Sequence, residues 1–219
     1  MIYLSGAVKP MYATWIPGTG RPCGMLAHAR NHMAYDHWSD WGAGVGFMHQ
    51  PRMGNLQLPG VWAADNGCFR NPDAFDLDRY RRWLSRRDPD NCLFVTAPDW
   101  VGEWCCTLER YYDVADVLRG DGWRVALVAQ DGLELYLDHI DWATIDALFM
   151  GGSTPWKLSP AAALVVREAR SHGLWCHMGR VNSRQRVRIA HDMGCDSVDG
   201  TYLAHTGAQG FADVIGWLE

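Results

Sequence analysis

Short apolar runs recur along the chain, each closing on a polar residue or a glycine: IYLSG (2–6), GVGFMH (44–49), VWAAD (61–65), CLFVTAPD (92–99), RVALVAQ (124–130), ALFMGG (147–152), LWCHMG (174–179) and DSVDG (196–200). Most are continuously apolar rather than alternating, the pattern of strands buried on both faces of a parallel sheet. The stretches between them carry helical spacing. The clearest helix runs from Pro160 to about His172: Ser159 is placed to cap its N-terminus, Pro160 suits the first turn, and Gly173 sits where a left-handed C-cap is wanted. Another runs from about Ser183 to Met193, beginning after Asn182 and stopping at Gly194, with Val187, Ile189, Ala190 and Met193 facing inward. Segments 76–87, 103–119 and 131–138 also read as helices, with Tyr80, Trp83 and Leu84 at helical spacing in the first.

Strands alternating with helices imply a parallel sheet covered by helices, and eight strands suggest that the sheet closes. The expected fold is α/β: a small (β/α)8 TIM barrel, one catalytic domain over residues 1–219. Residues 10–43 break the pattern, being rich in Gly, Pro, Trp and His, and are expected to form an inserted loop or a lid over the site.

Composition narrows this picture. With 219 residues, 48% hydrophobic and 21% charged, the chain can bury a substantial core as a soluble globular protein. No run approaches the roughly 20 apolar residues that span a bilayer, and the opening MIYLSGAVKP lacks the basic-then-apolar order of a secretory signal. A cytoplasmic protein with no membrane partner is expected. Its seven cysteines are an odd number with no C-x-x-C spacing, which argues against a disulfide framework and a structural zinc site. The net charge of -5 argues against wholesale coating of nucleic acid but leaves room for a local basic groove.

In a parallel barrel the chemistry lies at the carboxyl ends of the strands. Those ends carry Asp65-Asn66-Gly67, Pro98-Asp99, Gln130-Asp131-Gly132, Gly151-Gly152-Ser153, His177-Met178-Gly179 and Asp199-Gly200. Nearby carboxylates repel one another and so separate their pKa values, which suits one as a nucleophile and another as a proton carrier. Glycosyl transfer is the obvious class, and glycines at strand ends would let a flat ligand approach the backbone. Taken singly, each aspartate is equally well read as a cap of the next helix or loop, Gly151 and Gly152 as a tight turn, and Met178 as core filling. Asp196, at the start of the last strand, reads as structural.

In order and spacing, "ADNGCF", "APDWVGE", "VAQDG", "FMGGS", "HMGRVNS" and "GCDSVDGT" resemble the tRNA-guanine transglycosylase family, above all its short virus-encoded relatives that place 7-deazaguanines in bacteriophage DNA. The resemblance covers about 61–202. It implies a (β/α)8 barrel that cleaves the N-glycosidic bond of guanine in a polynucleotide and inserts a 7-deazaguanine such as preQ0, with no cofactor. By motif, Asp199 would be the nucleophile and Asp65 the general acid/base. Asp99, Gln130 and Asn66 would bind the base, Gly151 and Gly152 would offer it backbone groups, Met178 would pack on its face, and Asp196 would shape the last strand. The family's tRNA-acting members carry a zinc-binding segment after the barrel, absent by Glu219, and typically have Ser and a second Gly where this chain has D-N-G-C-F. Both departures favour DNA over tRNA.

Arg180, Arg184, Arg186 and Arg188 follow the seventh strand, where barrels often hold phosphate, and are candidates for the nucleic-acid backbone. Arg79, Arg81, Arg82, Arg86 and Arg87 read as a solvated helix face. The target guanine must leave its stack, so flipped-base or single-stranded DNA is the expected partner, with Trp15, Trp38, Trp41, Trp62 and Trp100 placed to face a groove. His28, His32 and Asp36 have a spacing that permits metal binding but lack the Glu of H-E-x-x-H, and no metal is assigned. Three rivals stay open: the same exchange on tRNA, a metal-dependent barrel hydrolase, and a non-catalytic nucleic-acid-binding module. Whether the protein forms a homodimer is not written in the sequence.

Overall fold

A computed structural model of the chain describes residues 1–5, 14–15, 22–23, 45–53 and 61–218. The expected insertion at 10–43, with the His28, His32 and Asp36 spacing and Trp38 and Trp41, lies outside the described residues apart from an antiparallel pairing of Thr14–Trp15 with Pro22–Cys23.

Each apolar run becomes a strand: β1 Ile2–Ser5, β2 Val45–His49, β3 Trp62–Ala64, β4 Cys92–Thr96, β5 Val125–Ala129, β6 Ala147–Met150, β7 Trp175–Met178 and β8 Ser197–Gly200. All pairings among these eight strands are parallel, and β1 pairs with both β2 and β8, so the sheet closes on itself as an α/β barrel. Helix α1, Leu77–Leu84, follows β3, and α2, Trp104–Gly120, follows β4. The short α3, Thr154–Lys157, and α4, Pro160–Ser171, follow β6; α5, Arg184–Met193, follows β7, and α6, Tyr202–Leu218, follows β8. Among the described residues no helix is long and apolar enough to cross a membrane.

The helix boundaries have visible causes. Ser159 Oγ accepts from the Ala162 N–H, as the sequence predicts, and Gly173 takes a left-handed φ of 75° just past α4. Helix α5 is capped by Ser183 rather than by Asn182, whose side chain instead accepts from the N–H groups of Thr201 and Tyr202 and so ties this loop to the start of α6. One predicted helix is absent. Residues 131–138 belong to a run of 3-10 turns, Leu133–Leu135, Leu137–His139 and Trp142–Thr144. Leu133, Leu135 and Leu137 recur every second residue, which no single α-helical face can bury. Leu133 is inside and Leu135 is 75% exposed.

Strand side chains alternate between two cores. Leu4, Met48, Ala63, Phe94, Ala126 and Ala147 fill the barrel, whereas Trp62, Val95, Leu127, Leu148, Met150, Cys176, Met178 and Val198 pack outward against the helices. Trp62, expected to face a groove, is therefore a core residue. Arg87 also departs from its expected solvated face: it is buried, with its guanidinium 4.3 Å from the centroid of Trp83.

Candidate active site

The same period of two decides which strand-end residues look into the mouth of the barrel. Counting up from the inward-facing Ala63, Phe94 and Ala126, the next inward positions are Asp65, Thr96, Val128 and Gln130; Phe149 and Gly151 follow on β6, and Asp199 on β8. These residues line one open pocket of about 510 Å³, within the roughly 300–1,000 Å³ of small-molecule sites. Met48, Val128 and Phe149 give it an apolar lining beside these polar groups, and Phe69, 57% exposed, and Val101 also border it.

Asp65 and Asn66 leave β3 through two successive side-chain turns: Asp65 Oδ1 accepts from the Gly67 N–H at 2.7 Å, and Asn66 Oδ1 from the Cys68 N–H at 2.7 Å. Gly67, at a left-handed φ of 79°, makes that reversal without strain. Burial pushes the Asp65 carboxyl up from 3.8 to about 6; the Gly67 N–H opposes this, and the neighbouring Asp199 and Asp99 add to it.

Asn66 Nδ2 donates to the Ala97 carbonyl at 2.6 Å and to Asp99 Oδ1 at 3.0 Å, while Gln130 Nε2 donates to Asp99 Oδ2 at 2.9 Å. Asp99 is thus held between two amides, with burial pushing its carboxyl up and the Asn66 bond opposing. Gln130 Oε1 accepts from the Gly102 N–H at 3.0 Å, which leaves one amide hydrogen for a ligand. Asp199 Oδ1 lies 3.0 Å from His177 Nε2, and Oδ2 accepts from the Arg180 N–H at 3.4 Å. Arg180 adopts a left-handed φ of 59°, an uncommon conformation for a residue with a side chain. Its guanidinium donates to the carbonyls of Gly151 and Gly152 and lies 5.1 Å from the Phe69 centroid.

No protein-family model matches this chain, and no curated protein matches it.

Asp65, Asn66, Asp99, Gln130, Gly151, Arg180 and Asp199 all line the pocket. Met178 does not. It is fully buried in the outer core, because the residue one step before it, His177, points inward. Gly151 and Gly152 do not hold free N–H groups for a ligand: both donate to the Ala129 carbonyl, at 3.0 and 3.1 Å. Packing explains the pair instead. A Cβ on Gly151 would stand 2.5 Å from Val128 Cγ1, and one on Gly152 would stand 2.4 Å from the Trp156 ring. Among the described residues Arg186 donates to the Arg180 carbonyl, at 3.5 Å, and exposed Arg184 lines a separate cavity of about 290 Å³ with Met1 and Trp217. Asp196 is structural: it receives Arg170 Nη1 at 2.8 Å and the Cys176 N–H at 2.9 Å.

Two residues at the site escape sequence reading. His177 was visible as a strand-end residue but not as a partner of Asp199. Lys157 is fully buried, donating to the Gly179 carbonyl, and burial, followed by the nearby Arg180 charge, pushes its amine down from 10.5 to about 7. Among the described residues no group of three or more His, Cys, Asp or Glu side chains is placed to hold a metal ion.

Proposed function

We propose that this chain is a DNA guanine transglycosylase, a (β/α)8 barrel enzyme of the tRNA-guanine transglycosylase superfamily that exchanges guanine in DNA for a free 7-deazaguanine base such as preQ0. The observation that carries the reading is the contrast between two carboxylates on one pocket. Asp65 is pushed up to about 6 by burial, whereas Asp199 takes hydrogen bonds on both oxygens. A group near 6 can both give and take a proton at neutral pH, and a hydrogen-bonded carboxylate is a nucleophile.

In this mechanism Asp199 attacks C1′ of the target deoxyguanosine. The C1′–N9 bond breaks with its electron pair on the purine, and Asp65 protonates the departing base. The free 7-deazaguanine then loses its N9 proton to Asp65 and displaces Asp199 from C1′, so two inversions retain the β-anomer. Asp99 and Asn66 recognise the donor edge of the guanine, and the spare amide hydrogen of Gln130 is available to its O6. The cationic Arg180 beside exposed Phe69 suits a phosphate and a stacked neighbouring base.

The test is to incubate the protein with a guanine-containing DNA and free preQ0, digest to nucleosides and analyse them by mass spectrometry. The expected result is a 7-deazaguanine deoxynucleoside with release of guanine, and neither product with the Asp199→Asn variant. Folded tRNA forms a second arm, and exchange on tRNA alone would move the reading to RNA. Chelator-sensitive hydrolysis without base exchange would replace it with a metal-dependent hydrolase.

A further inference from the structure

We propose that His177 is the positioning residue for Asp199: its imidazole accepts at Nδ1 and donates from Nε2, holding Oδ1 and leaving Oδ2 as the attacking atom. The proposal rests on the reading of Asp199 as the nucleophile, but the hydrogen-bond chain beneath it stands on its own. Trp175 Nε1–H can only donate, and Ser197 Oγ accepts it at 2.9 Å. The Ser197 hydroxyl hydrogen is still free to donate, and in the proposed arrangement it goes to His177 Nδ1, 2.8 Å away. An Nδ1 that accepts leaves the ring proton on Nε2, which lies 3.0 Å from Asp199 Oδ1. The far end asks for the same Nε2 proton, because a carboxylate acting as nucleophile has no hydrogen to offer and accepts from a donor.

The strand register builds this chain. His177 on β7 lies directly beside Ser197 on β8, and Asp199 is the next inward residue on β8. The imidazole is fully buried, with the rings of Phe94 at 5.2 Å and Phe149 at 4.7 Å, so uncharged walls leave it little room to turn. Gly179 completes the clamp: a Cβ there would come within 2.8 Å of Phe149 and 3.1 Å of Asp199 Oδ1. Oδ2, by contrast, receives among the described residues the long Arg180 N–H contact of 3.4 Å and keeps lone pairs for the pocket.

In the covalent step an Oδ2 lone pair forms the bond to C1′, the C1′–N9 electron pair leaves with the purine, and the purine takes its proton from Asp65. Oδ1 becomes the ester carbonyl and still accepts from His177. When the incoming base displaces the ester, the returning negative charge falls on an oxygen pair already supplied with a donor.

The experiment combines rates with imidazole nitrogen resonances. His177→Phe removes the donor and is expected to lower the exchange kcat by about 100-fold, the loss typical of a reacting group out of line, with KM for the free base unchanged. His177→Gln, whose side-chain amide reaches the Nε2 position, restores most of it. In the wild-type protein, ¹⁵N NMR should find His177 Nε2 protonated and Nδ1 bare, a reading that needs no variant to fold. Wild-type kcat in His177→Phe, an equal loss in both variants, or a proton on Nδ1 would overturn the proposal. Exchange that survives Asp199→Asn would instead remove the nucleophile assignment and leave the tautomer standing, so the two failures are distinguishable.

Discussion

Replacing Asp65 by Asn should stabilise the protein while abolishing exchange. In the unfolded chain its carboxyl titrates near 3.8, and burial in the barrel mouth raises this to about 6. The sign follows from proton binding: between these values the folded state holds a proton that the unfolded state has lost, so stability is full below about 3.8 and falls as pH rises through about 6. Above that window the fold carries a charge it disfavours, worth about 3 kcal/mol for a displacement from 3.8 to about 6. Because Asp65 is half-buried and faces pocket water, that figure is an upper bound. Asn keeps an oxygen to accept from the Gly67 N–H, so the turn survives. Urea unfolding at pH 8 should find Asp65→Asn more stable by up to about 3 kcal/mol, about 6–12 °C in Tm for a domain of this size. At pH 3.5 the two proteins should converge. An Asn variant no more stable than wild type at pH 8, or a gap that ignores pH, would refute the account of Asp65 as a carboxyl raised by burial.

Three further substitutions probe the supporting residues. Gly179→Ala drives a methyl group against the Phe149 ring and Asp199 Oδ1, so exchange should be lost with about 1–3 kcal/mol of stability, read by product formation and chemical denaturation together. Arg180→Gly relieves a left-handed φ worth about 1–2 kcal/mol but removes a pocket cation. DNA binding should weaken, and the slope of log K against log salt should fall by about 1 in fluorescence anisotropy titrations. Lys157→Met removes a buried amine whose folded value, about 7, lies below its unfolded 10.5. The wild type is therefore penalised most at and below pH 7, and the variant's stability advantage should shrink as pH rises from there towards 10.5 in parallel melting curves.

The barrel was legible because its signal is simple: runs such as RVALVAQ are apolar throughout, and each polar residue that ends one falls at the same rim. Asp65, Asp99, Gln130 and Asp199 follow directly. Parity along a strand is less visible. Met178 and His177 are neighbours on one strand, so only one can face the barrel, and counting in twos from inward Gly179 selects His177. Gly151 and Gly152 read in the sequence as backbone offered to a ligand or as a tight turn; in the fold Val128 and Trp156 pack against them and leave no room for a Cβ. Arg180's left-handed backbone has no sequence signature, since it is imposed by the contacts of its N–H with Asp199 and of its side chain with two carbonyls. The buried Lys157 is hidden in the same way: α3 has a single turn, too short to show a periodic face.

Three carboxylates share this mouth, and the donors each one receives differ. Asp99 is held by two side-chain amides, and Asp199 by an imidazole on one oxygen and a backbone N–H on the other. Asp65 has the Gly67 N–H on Oδ1, while burial and the charges of Asp199 and Asp99 all push its carboxyl up. Asp65 is thereby raised into the range in which a carboxyl exchanges protons near neutral pH. Under the proposed chemistry this suits it to carry the proton: were Asp65 the nucleophile, it would spend much of its time near pH 6 protonated and inert.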